Sequence, residues 1–145
     1  MSGVFHALSV NNEHRMIISD SGATKSMFSD SSVLTNYRRV EGISVLMAGV
    51  GLEQVIGMGD VGPLTDVLHV PNLVFDLVSE PMLARQGMQG AWADDWKTIR
   101  TREGRLFLVA HLNAHNLYEV SPMYLGLRKR KITSATKLMP QRSKL

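Results

Sequence analysis

The chain has 145 residues, 44% of them hydrophobic and 20% charged, a size and balance that suit one globular core and exclude a chain disordered throughout. It contains no cysteine, which excludes disulfides, zinc ribbons, thiol nucleophiles and iron–sulfur clusters. The net charge of +3 is segregated: seven of the 16 basic residues and none of the 13 acidic ones fall within Arg128–Leu145, so a mildly acidic body carries a basic tail.

Residues 1–13 show no strong period, and 1–15 read as an N-terminal arm. Met1–Asn12 lacks the basic start and apolar centre of a signal peptide, and no run nears the roughly 18 to 20 apolar residues of a spanning helix, so a soluble cytoplasmic protein without membrane contact is expected. Met16, Ile17 and Ile18 predict a short strand, stopped by Asp20-Ser21-Gly22. Ser29-Asp30-Ser31-Ser32 and Asn36 read as turn chemistry. Val45-Leu46-Met47 and Val55-Ile56, joined through Gly49-Val50-Gly51, predict a hairpin, and Gly57 and Gly59 in its second arm point to a bulge or a close backbone approach. Thr65–Val70 is a further strand, ended by Pro71-Asn72, and Val74–Val78 another apolar run. Ser79-Glu80-Pro81 then predicts a helix start, with Ser79 as N-cap and Gly87 as the stop. Thr98–Arg102 and Arg105–Val109 flank Glu103-Gly104 as a second hairpin, and Leu117–Val120 forms a last strand. Many short strands and one short helix describe an all-β domain.

Several patterns invite chemistry and fail on context. Gly57–Gly62 spells G-x-G-x-x-G, but Pro63 and a strand follow where a dinucleotide site needs a helix N-terminus. His111 and His115 are four apart, yet Leu112-Asn113-Ala114 between them reads as a loop, and no glutamate adjoins the first histidine. His6, His14 and His69 are isolated, so no metal or cofactor is expected. The basic run Arg128–Lys131 offers the only route to nucleic acid, and no aromatic residue follows Tyr124 to stack on bases; a solvated, disordered tail is the simpler reading.

Asp20-Ser21-Gly22 stands apart because it puts a carboxylate at the end of an apolar strand, beside a hydroxyl and a glycine that lets backbone and substrate approach closely. Ser19-Asp20-Ser21-Gly22-Ala23-Thr24 resembles the D-[ST]-G-A-[TS] signature of retroviral-type aspartic proteases. Val67-Leu68-His69-Val70-Pro71-Asn72-Leu73 is similar to the V-L-x-V-P-x-L block of the protease region in Ty1/copia-type retrotransposon polyproteins. Asp76-Leu77-Val78-Ser79, with Leu83 and Gly87, resembles the N-L-[IL]-S…L…G block of that region, although Asp76 stands where Asn is usual. Leu117-Tyr118-Glu119-Val120 resembles the L-Y-x-[LV] element beyond it. The likeness runs from about Met16 to Val120.

This resemblance implies a retroviral-type aspartic protease fold, all-β with one short helix. The chain then divides into an arm (1–15), a retropepsin-like domain (16–90), a β-rich extension (91–127) and the basic tail (128–145). It implies Asp20 as the catalytic residue, Ser21, Gly22, Ala23 and Thr24 as the active-site loop, and Gly49-Val50-Gly51 as the tip of a flap over the substrate. The expected activity is peptide-bond hydrolysis on a polypeptide substrate without metal or cofactor, in the cytoplasm or within a virus-like particle. Asp-Ser-Gly occurs once, and one carboxylate cannot serve as both proton donor and acceptor, so the enzyme reading requires a homodimer. Two other readings remain open at this point: an inactive protease-like module for dimerisation or peptide binding, and a nucleic-acid-associated protein acting through the tail.

Overall fold

The computed structural model describes residues 15–127; the basic tail, His6, His14 and nearly all of the N-terminal arm lie outside them. Among the described residues ten strands build one sheet: β1 (Ile17–Asp20), β2 (Met27–Phe28), β3 (Thr35–Met47), β4 (Gly51–Val61), β5 (Leu64–His69), β6 (Asp76–Ser79), β7 (Gln89–Ala93), β8 (Trp96–Arg100), β9 (Leu106–Leu112) and β10 (Tyr118–Val120). Their order across the sheet is β3-β4-β5-β2-β6-β1-β10-β9-β8-β7. One short α-helix, α1 (Glu80–Arg85), follows β6, and the described residues are all-β in class, as expected. Among the described residues no helix is long and apolar enough to cross a membrane.

Strand alternation organises the core. On the central strands, Ile17, Phe28 and Val78 join one buried cluster, while their neighbours Ile18, Met27 and Leu77 join a second. Because successive side chains of a strand point to opposite faces, β1, β2 and β6 form a wall between two cores. The first core continues into Ile99, Leu108, Ala110 and Val120 of the later strands; the second takes in Ala23 and Val55, with Val45 and Met47 of the β3–β4 hairpin packed against it. The sheet is continuous across residue 90, which lies inside β7.

Local signals explain the elements that were expected. Ser79 caps α1 by accepting a hydrogen bond from the Met82 amide at 3.1 Å, Glu80 and Pro81 occupy the first turn, and Gly87 follows with φ +89°. The close approach expected at Gly57 is real: a Cβ there would come within 2.0 Å of the Tyr37 hydroxyl. That hydroxyl is fixed at 2.7 Å from Nδ1 of buried His69, whose Nε2 lies 3.1 Å from the Ser29 carbonyl, so Nε2 donates and Nδ1 accepts.

Several readings need correction. Asn36 is not in a turn but inside β3 with φ +52°; of the expected turn segment Ser31–Val33 forms a 3-10 turn, capped by the Asp30 carboxylate. The hairpin arms are far longer than Val45–Met47 and Val55–Ile56, because most of β3 is exposed and carries no apolar alternation to read. β7 was not foreseen for the same reason, every one of its residues being exposed. The G-x-G-x-x-G run lies in β4 and the turn after it, with no helix at its third glycine. His111 sits on β9 against the Trp96 ring at 4.5 Å, rather than in a loop, while His115 is exposed in the turn that follows.

Candidate active site

β1 delivers Asp20 to the edge of the core. Its parallel pairing with β6 sets Asp20 opposite Ser79, and on its other side β10 runs antiparallel with Ile18 opposite Glu119. Three buried residues, Ile17, Ile18 and Ser19, lead to a half-buried Asp20, so the strand is anchored in the interior and its last carboxylate reaches solvent. The Gly22 amide donates to Asp20 Oδ1 at 2.7 Å, which closes the turn on the carboxylate. Ser21, Gly22 and Thr24 are exposed around it.

Ala23 is the buried end of this loop. Its carbonyl accepts from the Ser79 hydroxyl at 2.5 Å, and the Ser79 amide donates to Ser26 Oγ at 2.9 Å. One serine therefore caps α1 and ties the Asp20 loop to β6. The motif carrying Ser79 was legible in the sequence, but its bond to Ala23 spans 56 positions and has no local signature.

The structure brings Asp20, Ser21, Gly22, Ala23 and Thr24 together in one turn. Gly49, Val50 and Gly51 lie at the hairpin tip, and behind them Val40, Val45, Met47, Val55 and Met58 of β3 and β4 join the second core, which also holds Ala23. Along this hairpin Leu46, Val50 and Leu52 are exposed by 78%, 62% and 71%, an apolar surface that solvent alone does not favour.

Two buried polar groupings support the wall beneath the loop, and neither was apparent from sequence. Asp76 at the start of β6 is 5% exposed and accepts through Oδ1 from Arg15 Nη2 at 3.1 Å, Arg15 Nε at 3.3 Å and the Ser29 amide at 3.0 Å. Burial pushes its pKa above the ordinary 3.8, against the downward pull of Arg15 and Ser29. Toward the far end of these strands, Glu80 Oε2 accepts from Ser19 Oγ and from Lys97 Nζ, each at 2.6 Å. Among the described residues no group of three or more histidines and carboxylates is arranged to hold a metal ion.

Comparison with curated proteins and with solved structures returned no match. Residues 17–88, the span from β1 to just before β7, match the family described as Pol polyprotein, beta-barrel domain, and this match supports a region of a retroelement polyprotein.

Proposed function

We propose that the chain is an aspartic endopeptidase acting as a homodimer, the polyprotein-processing protease of a copia-type retrotransposon with a retroviral-type protease fold. The observation that carries this reading is the Asp20 turn: a strand-end carboxylate held by the Gly22 amide and flanked by exposed Ser21 and Gly22, on a loop tied to β6 through Ser79. The exposed apolar arms of the β3–β4 hairpin suit a flap that gains cover when it closes on a peptide. The retroelement match over residues 17–88 supports the setting, and Val67–Leu73 with Asp76–Ser79 supports the copia type.

Each chain supplies one Asp20, so two chains form a pair of carboxyls that share a proton, because two like charges a few Å apart resist joint ionisation. The ionised carboxylate takes a proton from a water as its oxygen attacks the peptide carbonyl carbon. The protonated partner donates to the carbonyl oxygen, which leaves a neutral tetrahedral diol. Collapse of the diol breaks the C–N bond: the now ionised carboxylate takes a proton from a diol hydroxyl, which becomes the product carbonyl, the protonated carboxyl gives its proton to the leaving nitrogen, and the pair holds one proton throughout.

Asp20→Asn tests the assignment, since it keeps size and hydrogen bonding but removes the ionisable group. Peptide cleavage by the wild type should rise faster than linearly with chain concentration as dimers form, and should vanish in the variant while its fold and association persist. Wild-type cleavage by an Asp20→Asn preparation free of other proteases refutes the reading. A wild type that binds peptide without cutting it establishes the inactive module instead.

A further inference from the structure

Lys97 lies on β8, outside the matched family span, and is only 8% exposed. Its ammonium meets Glu80 Oε2 at 2.6 Å and lies 4.6 Å from the Tyr118 ring centroid and 5.5 Å from that of Trp92. A buried ammonium is costly to desolvate, and replacing such a pair by apolar groups often leaves stability unchanged or improves it. Stability alone is therefore a weak reason for this pair, and its geometry offers a stronger one.

The oxygen that accepts a hydrogen bond from Lys97 also accepts one from the Ser19 hydroxyl at 2.6 Å, so the cation fixes the carboxylate as acceptor and the carboxylate fixes Ser19. Ser19 immediately precedes Asp20 and points to the opposite face of β1. Glu80 immediately follows Ser79, whose hydroxyl holds the Ala23 carbonyl. One dipeptide, Ser79-Glu80, thus grips the Asp20 loop at both ends: Ser79 after the aspartate and Glu80 before it. Lys97 is the contribution of the later strands to this clamp.

We infer that Lys97 is a positioning residue for Asp20, acting through Glu80 and Ser19, so that residues of the 91–127 segment set the geometry of the catalytic turn. The activity part of this inference rests on the endopeptidase reading; the geometric part does not.

The test uses the full chain in four forms: wild type, Ser19→Ala, Lys97→Met and Leu108→Ala. Ser19→Ala removes the last link while leaving the Glu80–Lys97 pair, so it stays informative if Lys97→Met folds poorly. Leu108→Ala weakens the same core without touching the polar chain. Two quantities are read: kcat and KM for a peptide, and the proton resonance of the Gly22 amide, which reports its bond to Asp20. Displacement of a catalytic group by about 1 Å costs on the order of 100-fold in rate, so a partial release predicts kcat lower by about 10- to 100-fold in Ser19→Ala and Lys97→Met, with KM within about twofold. In both variants the Gly22 resonance should move upfield and broaden, and in Leu108→Ala both readings should stay at wild-type values. Wild-type kcat and Gly22 resonance in Ser19→Ala overturn the inference, as does an equal change in Leu108→Ala. If the wild type cleaves nothing, the endopeptidase reading fails, and the Gly22 resonance still decides whether Lys97 and Ser19 hold the turn.

Discussion

Replacing Asp76 separates the electrostatics of the wall from its shape. Asp76→Ala removes the acceptor shared by the Arg15 guanidinium and the Ser29 amide, leaving a largely buried cation without its counter-ion. Breaking such a pair from one side costs about 3 to 5 kcal/mol, so Ala should lower stability by about that amount. Asp76→Asn keeps an oxygen in place for both donors; it loses the attraction to Arg15 but also the cost of burying a charge, and the net change should stay within about 1 kcal/mol at pH 7. The pH dependence gives the sharper test. A carboxyl whose pKa is raised on folding holds its proton more tightly in the folded state, so its contribution to stability is greatest below 3.8, falls as pH rises through the folded value, and is level above it. Asn lacks this loss, so Asp76→Asn should gain on the wild type across that window. Urea unfolding of both proteins from pH 3 to 7, with the Asp76 carboxyl carbon followed by NMR, measures both quantities. Titration of Asp76 below 3.8, with Asp76→Asn losing ground as pH rises, would show that attraction to Arg15 outweighs burial and refute the reasoning.

Ser79→Ala removes a helix cap together with the bond to the Ala23 carbonyl, and should lower stability by about 1 to 3 kcal/mol in denaturant melts and speed amide exchange in residues 20–24. Gly57→Ala drives a methyl into the Tyr37 hydroxyl; it should cost about 1 to 3 kcal/mol, with loss of the His69 Nδ1 hydrogen bond visible in the imidazole nitrogen shifts. Gly22→Ala meets only Asp20 Oδ1, at 3.4 Å, so thermal melting should shift little while peptide cleavage falls because the methyl occupies space beside the carboxylate. A large drop in melting temperature for Gly22→Ala would show that the turn needs glycine for its own folding.

What could be read from the sequence follows the range of the interactions involved. β1, α1 and the β8–β9 hairpin depend on neighbours in the chain: an apolar run stopped by Asp20-Ser21-Gly22, a serine cap with proline behind it, a glycine turn at Gly104 with φ +91°. The five residues of the Asp20 turn were legible for the same reason. β3 and β7 were not, because exposed strands owe their form to the strand beside them and carry no alternating pattern of their own. Arg15, Glu80 and Lys97 were equally silent as site residues. A lone charge in a strand reads as solvated until the fold sets its partner beside it, 61 positions away for Arg15 and Asp76, 17 for Lys97 and Glu80.

The parallel pairing of β1 with β6 links these features. A parallel pair cannot be joined by a tight turn, so the chain leaving Asp20 must travel through β2, β3, β4 and β5 before β6 returns to lie alongside. The long hairpin is part of that excursion, and its base packs on the core that holds Ala23 while its tip is free of it. At the other edge of β1 the later strands supply β10 as a second neighbour, and on its first-core face they supply Lys97 as a buried charge. Asp20 thus sits at the end of a strand bordered by pairing on both sides and by a core on each face. That confinement holds one carboxylate in place at a surface open to water, while Ser21, Gly22 and Thr24 beside it stay exposed.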